Sequence, residues 1–249
     1  MDTTGIQAFE TDPAVAGLSF DALGPSDLAN LILQRSEVLA DRHRPGQVIR
    51  AWQAGDTAPM AAEVARLGAG IARRAAGVIH AEYLALRPVL AEHPPARVAD
   101  IGCGYALFDL FLARDFGADL VLIDIETNDR RHFGFQTEGA AYASLAVTRA
   151  LLQENGIAEG RIATVNPTQT DLGTIGSIDL AVSFLSCGFH YPVDSYVPFL
   201  MQHLQIGGRA ILDLRAGTAD AQSASLAPLG PLTVLPGPPK SRRVMVTRR

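Results

Sequence analysis

The stretch VADIGCG at residues 98–104, followed by VLID at residues 121–124, decides the fold. Each is a short apolar run that ends in an aspartate, and two glycines follow the first run. Short apolar runs bounded by such breaks are typical of buried strands. The pattern predicts a strand, a tight turn, a helix and a second strand, with Asp100 and Asp124 at neighbouring strand ends. Carboxylates at such strand ends are typical of a site for a nucleoside-like ligand.

From residue 96 onward, short apolar runs alternate with helical patterns. Strands are predicted at 97–101, 120–125, 161–166, 178–185 and 209–214, and helices at 107–116, 139–155 and 196–205. Strands alternating with helices predict a parallel sheet that is covered on both faces. The runs at 232–235 and 242–247 are separated by prolines and a glycine, which predicts an antiparallel hairpin. The expected fold class is therefore α/β, with a doubly wound, mostly parallel sheet of seven strands.

The N-terminal part of the sequence lacks this alternation of strand and helix patterns. Residues 1–25 hold several glycines and prolines with little periodicity, which predicts an arm or loop. A helix is expected to begin near Pro25, with Ser26 or Asp27 as its N-cap, and to end at residues 44–46. Further helix is predicted over residues 59–90, although its three glycines argue against one unbroken helix. We therefore expect a helical N-terminal cap over residues 1–95 and a sheet domain over residues 96–249.

Composition narrows the class of partner. The chain has 249 residues with 21 basic and 26 acidic side chains, a net charge of −5 that argues against a nucleic-acid partner. No apolar run approaches the length of about 18 residues that a membrane span needs. Two cysteines and no secretory signal predict a cytoplasmic protein. We expect a small-molecule partner; the sequence leaves the oligomeric state open, a homodimer included.

The turn after the first strand distinguishes between nucleoside cofactors. A dinucleotide fingerprint would need a third glycine at position 107, which is a leucine here. Asp100 would repel a pyrophosphate but suits a ligand that carries an ammonium group, such as S-adenosylmethionine. Asp124 is placed to accept hydrogen bonds from ribose hydroxyls. Two glycines, Gly102 and Gly104, allow the backbone to approach the ligand closely.

Over residues 96–249 the chain resembles the class I S-adenosylmethionine-dependent methyltransferases. The family's first motif, acid-x-Gly-x-Gly-x-Gly, matches Asp100, Gly102 and Gly104, with Ala106 in the place of the third glycine. Its second motif falls on Asp124, and its last two strands match the terminal hairpin. The resemblance implies S-adenosylmethionine as cofactor. The cofactor-binding residues would then be Asp100, Gly102, Cys103, Gly104, Asp124, Ile125, Asn166 and Ser183.

The acceptor side follows the fourth predicted strand, in the stretch CGFHYP at residues 187–192. His190 is the candidate general base, because an imidazole with a pKa near 6.5 can take a hydroxyl proton. Tyr191 is a candidate to orient the acceptor. Arg131 and His132 lie on the long loop after the second strand and are candidate substrate contacts. A structural role for His190 and a merely solvated loop remain the alternatives.

The stretches HFGF at 132–135, EGAAY at 138–142 and CGFHYP resemble bacterial proteins classed as sugar O-methyltransferases. The function hypothesis is methyl transfer to a hydroxyl of a small molecule, such as a sugar. Transfer to nitrogen of a small molecule or macromolecule and a non-catalytic adenosyl-binding module are the alternatives. The histidines lack close ligand spacing, so no metal site is predicted. Trp52, His80 and Tyr83 of the cap are expected to help close the acceptor pocket.

Overall fold

Seven strands form one sheet in the computed structural model, which describes residues 3–126 and 143–249. They are β1 (Arg97–Ile101), β2 (Asp119–Ile123), β3 (Ile162–Val165), β4 (Ile178–Ser183), β5 (Leu204–Arg215), β6 (Leu232–Leu235) and β7 (Ser241–Thr247). Their order across the sheet is β3-β2-β1-β4-β5-β7-β6. The first five pair in parallel, and β7 is antiparallel to both β5 and β6. The predicted doubly wound sheet with a terminal hairpin is confirmed.

Both faces of the central strands are buried, which explains their continuous apolar runs. On one face Val98 and Leu120 belong to a core cluster that extends into the N-terminal helices. On the other face Ala99 and Val121 belong to a second cluster with the C-terminal helices. Strand order reverses between β1 and β4, because the chain moves outward from β1 to β3 and then returns to β4 on the other side. A crevice at the carboxyl ends of strands is expected at such a point.

The helices cover the two faces of this sheet. They are α1 (Thr3–Glu10), α2 (Pro13–Ala16), α3 (Pro25–Gln34), α4 (Gly46–Gln53), α5 (Ala58–Leu67), α6 (Gly70–Glu92), α7 (Leu107–Phe116), α8 (Leu145–Glu154), α9 (Val197–His203) and α10 (Ala219–Leu226). β1 and α7 have the predicted bounds, whereas the other predicted strands and helices before the hairpin differ at one or both ends. No helix within the described residues has both the length and the apolar run that crossing a bilayer requires.

The prediction of an arm or loop for residues 1–25 is wrong, because α1 and α2 form there. α1 lies so close to α6 that a Cβ atom at Gly77 would overlap the backbone carbonyl of Phe9. A glycine at that position therefore lets the two helix backbones approach. α1 packs on α6 at this contact, and its own sequence contains only a short periodic pattern.

The predicted helix boundaries in the cap also need correction. α3 ends at Gln34, and residues 44–46 lead into α4, which begins at Gly46, instead of ending the first helix. The N-cap of α3 is Gly24, whose N–H donates to the Asp27 carboxylate at 3.0 Å. The break predicted by the glycines in residues 59–90 is confirmed at Gly68, where φ is +51°. Such a left-handed φ is readily adopted by glycine and ends α5 there.

Candidate cofactor and acceptor site

A cavity of about 440 Å³ lies at the carboxyl ends of β1, β2 and β4. The sheet side contributes the glycine loop after β1, the end of β2 and the turn after β4. The cap contributes the end of α3 and one face of α6. The described residues around it are Leu31, Leu33, Gln34, Arg35, Ile79, Glu82, Asp100, Gly102, Cys103, Gly104, Tyr105, Ala106, Leu107, Phe108, Asp124, Ile125, Phe184, Leu185, Ser186, Phe189, His190, Tyr191 and Lys240.

The glycine loop turns sharply between β1 and α7. Gly102 has φ of +79° and Gly104 has φ of +53°. A Cβ atom at Gly102 would overlap the side chain of Ser186, which belongs to the turn after β4. Gly102 therefore allows the β1 and β4 loops to meet at the cavity. Ala106, in the place of the family's third glycine, also has a left-handed φ of +51°.

Asp124 lies directly after β2 and is held by the glycine loop. Its Oδ2 accepts a hydrogen bond from the Gly104 N–H at 2.7 Å, and its own N–H donates to the Val165 carbonyl at 3.1 Å. Burial raises the pKa of Asp124 to about 6, although hydrogen bonds from the Gly104 and Ile125 N–H groups oppose this rise. The carboxyl is therefore fixed in orientation and lines the cavity.

Asp100 is the last polar residue of β1 and lines the same cavity. Only 5% of this residue is exposed, and its Oδ1 is buried with no hydrogen-bond partner among the described residues. Burial raises the pKa of Asp100 well above its usual value, and the neighbouring carboxyls of Asp109 and Asp124 raise it further. A buried acceptor without a donor is costly, so a cationic or donating ligand would stabilise this side chain.

The sequence does not indicate which cap residues reach the cavity. The Arg35 guanidinium donates to both carboxylate oxygens of Glu82, at 2.8 and 2.9 Å, and thereby joins α6 to the end of α3. Gln34 lies beside the glycine loop, 3.5 Å from where a Cβ atom of Gly104 would be. Arg35 and Glu82 are 47 residues apart, and no local pattern indicates that they pair.

The cap residues expected at the acceptor pocket have other contacts, which corrects that expectation. His80 Nδ1 lies 2.7 Å from the Asp12 carboxylate, and the Tyr83 hydroxyl donates to Asp115. Trp52 packs against the core cluster on the cap side. None of these three is among the described residues around the cavity. The residues of α6 that line it are Ile79 and Glu82.

His190 and Tyr191 line the cavity from the turn after β4. The turn is fixed by its own backbone, since the His190 N–H donates to the Ser186 carbonyl at 2.8 Å and the Gly188 N–H to the Tyr191 carbonyl at 2.7 Å. The His190 ring also meets the Phe189 ring edge to face, with 5.6 Å between centroids. Both candidates for the acceptor side are thus placed at the cavity wall.

Two of the predicted cofactor residues are engaged elsewhere. The Asn166 amide oxygen accepts hydrogen bonds from the N–H and hydroxyl of Thr168, at 3.0 and 2.7 Å. The Ser183 hydroxyl donates to the Ile101 carbonyl at 2.6 Å and accepts from the Cys187 N–H at 2.9 Å. Neither is among the described residues around the cavity, whereas Cys103 and Ile125 are. Arg131 and His132 lie outside the described residues.

Backbone strain is concentrated around the cavity. Of the four non-glycine residues with positive φ in the described part of the chain, Ala106, Leu185 and Lys240 line it, and only Arg44 does not. Such conformations persist where the surrounding structure enforces them, and they are common at ligand sites. Within residues 3–126 and 143–249, no group of three or more histidine, cysteine or acidic side chains is arranged to hold a metal ion.

Comparison with known proteins gives structural neighbours but no sequence relatives. No protein-family model matches the chain, and no curated protein matches it. A candidate O-methyltransferase from Nostoc punctiforme is 13% identical, with a TM-score of 0.51, over 72% of this chain and 59% of that protein. The chain therefore spans less than two thirds of that neighbour.

Two further solved structures are similar at lower TM-scores. The S-adenosylmethionine-dependent methyltransferase SibL is 15% identical over 89% of this chain and 74% of its own, with a TM-score of 0.48. The Thermus thermophilus 16S rRNA N2 G1207 methyltransferase, solved with its cofactor and guanosine, is 16% identical over 70% of this chain and 43% of its own, with a TM-score of 0.46. The strand order and the structural similarity to the Nostoc protein show that the chain has the fold of the class I S-adenosylmethionine-dependent methyltransferases.

Proposed function

We propose that this protein is an S-adenosylmethionine-dependent methyltransferase that acts on a hydroxyl group of a small molecule. The observation that carries the proposal is the buried Asp100 carboxyl, which lines the cavity with one oxygen lacking a described partner. That oxygen lies where the strand order reverses, beside a glycine loop and a second carboxyl, Asp124. This arrangement suits a ligand with an ammonium group at one end and ribose hydroxyls at the other.

The residues present fit this cofactor. Asp100 would pair with the ammonium group, which supplies the charge and the donors that the buried carboxyl lacks. Asp124 would accept hydrogen bonds from the ribose hydroxyls with the oxygen that Gly104 does not engage. Gly102, Cys103 and Gly104 would bring the backbone against the ligand. Asn166 and Ser183 would act indirectly, through the loops that they brace. When bound, the cofactor supplies a methyl group on a positively charged sulfur.

The acceptor would lie between the turn after β4 and the cap. His190 would take the hydroxyl proton as the acceptor oxygen bonds to the methyl carbon and the bond from that carbon to sulfur breaks. Tyr191 would orient the acceptor, and Phe108 and Phe184, whose ring centroids are 4.6 Å apart, would support it from the apolar side. Alignment of oxygen, methyl group and sulfur contributes most of the rate in such a transfer.

The acceptor class rests on the resemblance to sugar O-methyltransferases. Arg131 and His132, which follow β2 in the sequence, would contact a hydroxylated acceptor. The formal charge of −5 and the acidic groups at the cavity support a small molecule over a nucleic acid. Transfer to a hydroxyl gives a methyl ether and transfer to nitrogen gives an N-methyl product, so mass spectrometry with fragmentation separates the two chemistries by the atom that carries the added methyl group.

Calorimetric titration with S-adenosylmethionine tests the cofactor. We expect one site per chain and weaker binding after Asp100→Asn, because the variant removes the negative charge that faces the ammonium group. The matched control is Asp119→Asn, at an exposed aspartate on the opposite end of β2. An absence of binding at millimolar cofactor contradicts the proposal. Binding without transfer to any hydroxylated acceptor would instead favour a non-catalytic adenosyl-binding module.

A further inference from the structure

A second buried carboxyl lies behind the cofactor cavity and has no role in the proposed reaction. Asp109 belongs to the first turn of α7, which follows the glycine loop directly. The residue is wholly buried and is not among the described residues that line the cavity. A buried aspartate in this position is unexpected for packing alone, because an isolated carboxylate is strongly destabilised away from water.

Neither carboxyl oxygen of Asp109 accepts a hydrogen bond from another described residue. Its polar neighbour is the Asp100 carboxyl, whose Oδ1 also has no described donor. Two adjacent buried carboxyls without donors cannot both be ionised at low cost. Each carboxyl gains a hydrogen-bond partner when one of them carries a proton and donates it in a hydrogen bond to the other.

The other titratable groups around the pair do not supply that donor. Asp124 and Cys103 face the pair from the end of β2 and from the glycine loop, and Asp124 adds negative charge. His80 and Tyr83 of α6 pack on Phe111 of α7, and they bond to Asp12, which precedes α2, and to Asp115 at the end of α7. Among residues 3–126 and 143–249, no cationic side chain forms an ion pair with Asp100 or Asp109.

We propose that Asp109 is a positioning residue, a neutral carboxylic acid that donates its proton in a hydrogen bond to the Asp100 carboxylate and aims it at a cationic ligand. This inference rests on the proposed function, because the ligand is the cofactor's ammonium group. Of the two paired carboxyls, Asp100 lines the cavity and Asp109 does not. A cation in the cavity would therefore favour the negative charge on Asp100 and the proton on Asp109. No proton leaves the pair.

The shared proton also makes cofactor binding depend on pH. Burial raises the pKa of both carboxyls. The Asp109 carboxyl raises the pKa of Asp100 further, whereas the hydrogen bond with Asp100 lowers the pKa of Asp109, so the two carboxyls titrate as a pair. Below the pH range in which the pair holds one proton, Asp100 is neutral and attracts the ammonium group weakly. Above that pH range, both carboxyls are ionised and repel each other, so the site loses its fixed geometry. Cofactor binding by the wild-type protein should therefore weaken at both lower and higher pH.

Two substitutions separate this role from packing. Asp109→Asn keeps a donor toward Asp100, so affinity for S-adenosylmethionine should stay within about threefold of wild type and lose its decline at high pH. Asp109→Leu fills the same space but donates nothing, so affinity should fall roughly ten- to hundredfold, the value of a hydrogen bond to a charged group. A purely structural role predicts the reverse order, because leucine suits a buried helix position better than asparagine does. Asp119→Leu is the matched control.

Calorimetric titration of the four proteins from pH 5 to 9, with S-adenosylmethionine and with S-adenosylhomocysteine, measures these effects. If the wild type binds and Asp109→Leu binds equally well, this inference is wrong while the cofactor assignment stands; if the wild type binds neither ligand, both fail. Should a variant not fold, infrared spectroscopy of the wild type decides. A carbonyl band of a protonated carboxyl that persists with cofactor and shifts in deuterated water supports the proposal, and its absence overturns it.

Discussion

Replacing Gly102 by alanine should both destabilise the protein and disturb the site. At φ of +79° an alanine is strained by about 1–2 kcal/mol. The new methyl group would overlap the Ser186 side chain, and relieving such an overlap costs about 1–3 kcal/mol. Alanine also restricts the unfolded chain, which offsets this destabilisation by about 0.4–1 kcal/mol. The free energy of unfolding should therefore fall by about 1–5 kcal/mol, measured by urea denaturation.

Gly117 offers a matched control. It has a similar φ of +72°, but a Cβ atom there meets nothing within 4 Å. Gly117→Ala should therefore show only the backbone strain. Its free energy of unfolding should fall by about 1 kcal/mol once the effect on the unfolded chain is subtracted. The difference between the two variants isolates the contact with the turn that carries His190. Adding Ser186→Gly to Gly102→Ala should recover most of that difference. Equal losses for Gly102→Ala and Gly117→Ala would refute this account of how the two loops meet.

Three other predictions follow from the same site. Asp124→Asn should raise the free energy of unfolding at pH 7 by up to about 3 kcal/mol, from a pKa shift of 3.8 to about 6. Because the folded-state pKa is raised, wild-type stability should decline from pH 4 through 6, and urea denaturation of the variant should show a flatter profile; a steeper profile contradicts the shift. The same variant should bind S-adenosylmethionine more weakly in calorimetry. His190→Ala should lower turnover about 100- to 10,000-fold while leaving cofactor affinity nearly unchanged, and unchanged turnover with the true acceptor would remove it from the mechanism. Glu82→Gln should cost about 1–3 kcal/mol in thermal unfolding, because it leaves the Arg35 guanidinium without its bidentate partner, whereas Glu37→Gln, at 3.5 Å from the same group, should cost less.

The glycine loop illustrates what local sequence can predict. β1 and α7 have the predicted bounds because an apolar run, two glycines and a helical pattern follow one another within 20 residues. Each of those signals is local: burial on both faces of a strand, a left-handed turn and a 3.6-residue period. Asp100 and Asp124 could be placed at one edge of the sheet for the same reason, because parallel strands end together.

The cap and α10 illustrate what local sequence could not predict. α10 has only Ala219, Gln222 and Leu226 buried, so its apolar pattern was too weak to predict a helix. α1 forms against Gly77 of α6, and a glycine in a helical pattern gives no sign of which backbone will lie on it. The resemblance implies a cofactor contact at Asn166, but its side chain bonds instead with Thr168, two residues along the chain.

The sequence by itself determined the α/β architecture, the hairpin and the pair of strand-end carboxyls, because these depend on periodicity and turn chemistry within short windows. Only the tertiary structure decided which cap residues border the cavity and that Asp109 faces Asp100. The physical reason is that contacts between distant segments depend on packing and burial. The carboxyl pair exists because a helix turn and a strand end are buried together, which neither segment specifies alone.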